Sequence, residues 1–226
     1  MKLWGLESQS HWRHLFKTGV LRSASSYAAR EYACGGQCDR FPYDWIRKEM
    51  TYRVRPPRAR LFPIWTWRQW EGKAEIDLRT FRWHYPAGER SVRIELECPD
   101  DQVLFCDYGL WFYVLNHWYL PRSLADAAQF EESFPDHPWA IFKALRYDKP
   151  KFQQKVIQSW QRVFDLGWYS EGITSPPQKK SIIGWIWELR REWVISHTPF
   201  VGSSTLFKRA VRVTVVPLPG PHATER

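Results

Sequence analysis

From Ser91 to Cys98 apolar and charged positions take turns: Val92, Ile94, Leu96 and Cys98 alternate with Arg93, Glu95 and Glu97. Successive strand side chains point to opposite faces, so this alternation predicts a half-buried strand. Pro99-Asp100-Asp101 predicts a turn. Val103 to Cys106 is apolar throughout, which fits a strand covered on both faces or a buried helical turn. Asp107 then stands where a helix cap belongs, with Leu110, Trp111, Val114, Leu115 and Trp118 at the spacing of one helix face and Asn116 near the end. Strand, turn, strand, helix is the order around which the chain is organised.

The same reading extends outward. Leu3, Trp4 and Leu6 predict an opening strand. Ser8 or Ser10 caps a helix whose face carries Trp12, Leu15 and Phe16, and Gly19 ends it, because glycine tolerates the left-handed C-terminal position. Pro42 starts a second amphipathic helix with Tyr43, Trp45, Ile46 and Met50. Arg53 to Arg60, with Pro56-Pro57 among arginines, is predicted extended and exposed. Trp65 and Trp67 share one face of a strand. Asp77-Leu78-Arg79 falls in a polar connection, Ser123 and Asp126 form a capping box, and Phe152, Val156, Trp160, Val163 and Phe164 line a helix.

Ser181 to Leu189 predicts a strand apolar on both faces, as in the interior of a sheet. Glu188 breaks it. A carboxylate there either reaches solvent at the sheet edge or lines a cleft. Trp193 to Val201 and Val211 to Val216 are further strand candidates. The whole predicts one α+β domain over 1–201, its mixed or largely antiparallel sheet flanked by helices, followed by a C-terminal strand and frayed tail over 202–226.

Composition changes this picture in two ways. The chain holds 15 Trp among 17% aromatic residues, so a modest number of elements can build a firm core from large rings. A formal net charge of +9 favours polyanionic partners, nucleic acid among them. The charge is concentrated: Arg47, Lys48, Arg53, Arg55, Arg58, Arg60 and Arg68 crowd one segment. Cys34 and Cys38 are separated by three residues and Cys98 and Cys106 by seven, so neither pair has the spacing of a short zinc knuckle, and no metal is predicted. Gly5 and Glu7 interrupt the first apolar run, and no membrane span is visible, which points to a cytoplasmic protein with reduced thiols.

An ordered series of motifs resembles a bacterial family, domain of unknown function 3841. It comprises Leu3-Trp4, Trp12 to Leu21, Tyr43-Asp44-Trp45, Pro63 to Trp67, Asp77-Leu78-Arg79, Ile94-Glu95-Leu96, Leu104 to Asp107, Trp111 to Asn116, Ser159 to Phe164 and Trp187-Glu188-Leu189. The resemblance covers roughly residues 1 to 200 and brings no established activity. More distantly, an opening strand, a helix ending in Gly19-Val20-Leu21 and a late strand glutamate are similar to the layout of ADP-ribosyltransferases. The opening strand offers neither the arginine nor the histidine usual there.

That likeness implies NAD as cofactor and Glu188 as the catalytic carboxylate. Breaking the bond between nicotinamide and ribose passes through an oxocarbenium-like species, which a carboxylate stabilises. Trp65, Trp67 or Trp111 would wall the nicotinamide; Arg79 would meet the pyrophosphate; Asp107 completes the candidate cofactor set. A second reading is a non-catalytic module in which Arg53, Arg55, Arg58, Arg60 and Arg68 grip nucleic-acid phosphates. A third is a regulatory protein whose aromatics are all core. Oligomeric state is not legible.

Overall fold

Leu3 and Trp4 are neighbours in the chain, both buried, yet they feed different clusters of core residues. They can do so because alternate strand side chains leave opposite faces, and the sheet they belong to is covered on both. The computed structural model describes residues 1–24, 40–134, 140–142 and 150–204. Within them the strands are β1 (Lys2–Ser8), β2 (Val20–Ala24), β3 (Leu61–Phe62), β4 (Ile64–Gln69), β5 (Arg90–Glu97), β6 (Leu104–Asp107), β7 (Ile182–Ile186), β8 (Glu188–Arg190) and β9 (Val194–Val201). A six-stranded sheet runs β6-β7-β4-β1-β5-β9 and a three-stranded sheet runs β3-β2-β8. Their ladders are antiparallel.

The helices are α1 (Gln9–Thr18), α2 (Phe41–Arg53), α3 (Leu78–Phe81), α4 (Tyr108–Leu115), α5 (Leu124–Glu132) and α6 (Pro150–Ser159). Their ends follow local chemistry. Ser8 caps α1 by accepting from the His11 amide, and Gly19, with φ of 80°, closes it in the left-handed conformation that a Cβ would strain. Asp107 caps α4 and Ser123 caps α5, each through an amide three residues on. This is the α+β domain with a largely antiparallel sheet that the residue pattern predicts.

Indole rings dominate the larger cluster. Trp111, Trp160 and Trp185 are fully buried there beside Trp45, Trp67 and Phe130. Truncating one such ring to alanine costs about 3–5 kcal/mol. The sheet also depends on one missing side chain. A Cβ on Gly184 would lie 2.8 Å from Val103 Cγ1 and 3.1 Å from Thr66 Oγ1, so the strands beside β7 would have to shift to admit alanine.

Three predicted boundaries move. The single strand expected over Ser181 to Leu189 is two, β7 and β8, divided at Trp187, whose indole N–H donates to the Val54 carbonyl at 2.8 Å. The long stripe from Phe152 to Phe164 is α6 followed by a 3-10 turn, Trp160–Phe164. Arg53 is the last residue of α2 rather than the start of an extended run. Val211 to Val216, Cys34 and Cys38 lie outside the described residues, and among those described no helix is long and apolar enough to cross a membrane.

Candidate functional site

Glu188 begins β8 and lies opposite Arg22 of β2. It is buried, and both carboxylate oxygens are occupied: Oε2 accepts from Arg22 Nε at 2.7 Å, and Oε1 accepts from Arg190 Nε at 2.7 Å. The bond to Glu188 holds the Arg190 guanidinium above its ordinary pKa. A carboxylate so engaged is a pin between two strands of the small sheet. To meet a ribose hydroxyl it would have to surrender an arginine.

The tryptophans expected as a nicotinamide wall pack against other aromatic rings. The Trp65 ring lies 5.6 Å from Trp67 and 6.3 Å from Trp185. Trp111, 1% exposed, packs against Trp185 at 5.1 Å. Aromatic pairs at these separations are ordinary core contacts. Arg79 is 91% exposed and folds back on Asp77 at 2.9 Å, which lowers the Asp77 pKa through that hydrogen bond.

Asp107 has a different fate. Its Oδ1 accepts from the Leu110 amide at the start of α4, while Oδ2 accepts from Lys180 Nζ at 2.7 Å and Thr174 Oγ1 at 2.9 Å. The Lys180 side chain is 0% exposed and that of Asp107 3%. The pair borders a cleft of about 320 Å³ with Trp70, Tyr108, Thr174 and Lys179. Trp65, Trp67, Arg79, Trp111 and Glu188 are not among the residues lining it. Of the expected cofactor set, then, Asp107 alone borders this cleft.

The basic segment is partly assembled. Between Arg40 and Arg60 seven cations face two carboxylates, Asp44 and Glu49. Arg40, just before α2, pairs with Asp44 in its first turn, and Arg53 reaches Glu49, Gln161 and the Phe164 ring. Arg55, Arg58 and Arg60 follow in an exposed loop and, among the described residues, make no ion pair. Tyr52, at the end of α2, is 75% exposed. Arg68 stands apart on β4, its guanidinium near the Lys2 carbonyl.

Sequence reasoning missed Arg22, Lys180 and Tyr52. Strand register pairs Arg22 with Glu188 across 166 positions, which no local pattern reveals. Nothing in the sequence separates Lys180 from its neighbour Lys179. Tyr52 had a readable signal, since it lies off the Trp45, Ile46 and Met50 stripe.

The model of the family described as domain of unknown function (DUF3841) matches residues 2–195. No curated protein and no solved structure matches the chain. With most of its length covered, this chain belongs to the DUF3841 family.

Proposed function

We propose that the protein is a non-catalytic module that binds single-stranded nucleic acid through the end of α2 and the loop after it. The observation that carries this reading is the loop itself: Arg55, Arg58 and Arg60 are exposed and, among the described residues, unpaired with carboxylates. Guanidinium groups not already neutralised are free to displace counterions from a phosphate backbone. Tyr52, exposed next to them, supplies a ring on which a base can stack, worth about 1–3 kcal/mol per base in such proteins. Exposure of the ring favours a single strand, whose bases are accessible, over a duplex.

Fluorescence anisotropy with labelled single-stranded DNA and RNA over a range of salt tests this reading. The triple variant Arg55→Gln, Arg58→Gln, Arg60→Gln should bind more weakly at every sequence and flatten the plot of log K against log salt by about 2. Tyr52→Ala should weaken binding and leave that slope unchanged. An unaltered slope in the triple variant refutes the reading. Incubation with labelled NAD separates the other possibility: nicotinamide released by the wild type and not by Glu188→Gln would favour glycosyl transfer by an ADP-ribosyltransferase-like enzyme instead.

A further inference from the structure

A second basic feature lies on different elements. The segment before α5, the first turn of α5, the end of α6 and the 3-10 turn Trp160–Phe164 enclose a cleft of about 290 Å³. Its charged lining is Arg122, Lys155 and Arg162 against one carboxylate, Asp126. Asp126 is already engaged, accepting from the Tyr119 hydroxyl at 3.0 Å and the Arg122 amide at 2.7 Å. Lys155 hangs its amine 5.4 Å over the Tyr119 ring and 5.0 Å over Phe130.

Arg162 is the unusual member. One terminal nitrogen donates to the Leu120 carbonyl, but its Nε–H is buried and has no partner. Among the described residues no carboxylate lies within ion-pair distance of it. Burial lowers its pKa, an effect that Tyr119 and Asp126 only partly offset. A half-buried guanidinium whose nearest carboxylate, Asp126, is already engaged elsewhere is poorly compensated, and a buried donor without an acceptor adds to that cost. An anion in the cleft would supply the counter-charge that the guanidinium lacks.

We infer that this cleft binds a phosphate monoester, held by the guanidinium of Arg162 together with the charges of Arg122 and Lys155. Three cations against one occupied carboxylate match a dianion better than a monoanion, and arginine suits phosphate oxygens in both charge and geometry. The volume exceeds a bare phosphate, so the group arrives attached to something: a small metabolite or the 5′ end of a nucleic acid chain.

Isothermal titration with inorganic phosphate, ribose 5-phosphate, and one oligonucleotide carrying either a 5′-phosphate or a 5′-hydroxyl tests the inference. Wild-type protein should bind the first two, and Arg162→Gln should lose about tenfold or more in affinity, as expected for a charge-assisted hydrogen bond. Since Arg162→Gln also disturbs packing, Arg122→Gln and Lys155→Gln, both at exposed positions, should each weaken binding with unchanged melting temperature. Preference for the 5′-phosphorylated strand assigns the group to a chain end, and equal binding of the two strands beside tight ribose 5-phosphate binding assigns it to a metabolite. Wild-type protein that takes up neither inorganic phosphate nor ribose 5-phosphate, or affinities untouched by Arg122→Gln and Lys155→Gln, would overturn it. The loop variants Arg55→Gln, Arg58→Gln and Arg60→Gln should leave inorganic phosphate binding intact, so this site and the nucleic-acid surface can fail separately.

Discussion

Asp107 with Lys180, and Glu188 with Arg22 and Arg190, are both buried carboxylates held by cations, and they differ in where the cations end. Lys180 is as buried as its partner, whereas the Arg22 and Arg190 side chains are 33% and 43% exposed. The first arrangement is closed, with Thr174 and the α4 cap using the remaining lone pairs. The second drains its charge to solvent through long side chains. Burial of an acid therefore says little about its job until the far side of its partner is known.

Removing one member tests the contrast most severely. Lys180→Met leaves the Asp107 charge inside without its cation, and the expected loss is about 3–5 kcal/mol by denaturant unfolding. Adding Asp107→Asn should recover much of it, since a neutral asparagine still caps α4. Failure to recover would mean that Lys180 matters for packing and not for charge.

Glu188→Gln should cost less, about 1–3 kcal/mol, because the two arginines it abandons can turn to water. A loss as large as that of Lys180→Met would erase the distinction between the two sites. Alkaline pH should weaken the closed region gradually. Burial pushes the Tyr108 hydroxyl up to about 12 and raises the Cys106 thiol, both flanking Asp107 in the chain. The folded state prefers their neutral forms. This contribution is whole below the ordinary thiol value of 9.0 and is lost as pH rises through the shifted values. Tyr108→Phe should flatten the alkaline limb of stability measured against pH. Arg190→Ala is the mildest change, about 1 kcal/mol, because Arg22 still holds the Glu188 carboxylate, and it should shrink in high salt.

Which of these features could be read from the residues depends on how local their causes are. The α4 cap was legible because Asp107 and the stripe from Leu110 sit within one turn of each other. The shared face of Trp65 and Trp67 was legible too, but not what covers it, since Tyr108 and Trp185 arrive from other elements. Glu188 stood out as a polar break in an apolar run. Its partner Arg22 is set by tertiary pairing, so the same break was compatible with a cleft or a pin. Lys180 was invisible for a related reason: a Lys-Lys pair carries no sign of which amine turns inward.

The loop of arginines is tethered at both ends. Val54, 5% exposed, takes the Trp187 indole on its carbonyl, and Leu61, 4% exposed, opens β3. The six residues between these anchors can stretch no further than about 20 Å, the reach of a few nucleotides. If the loop is the nucleic-acid surface proposed above, a grip of that span suits a short tract, and a long polymer would be coated by copies seated side by side.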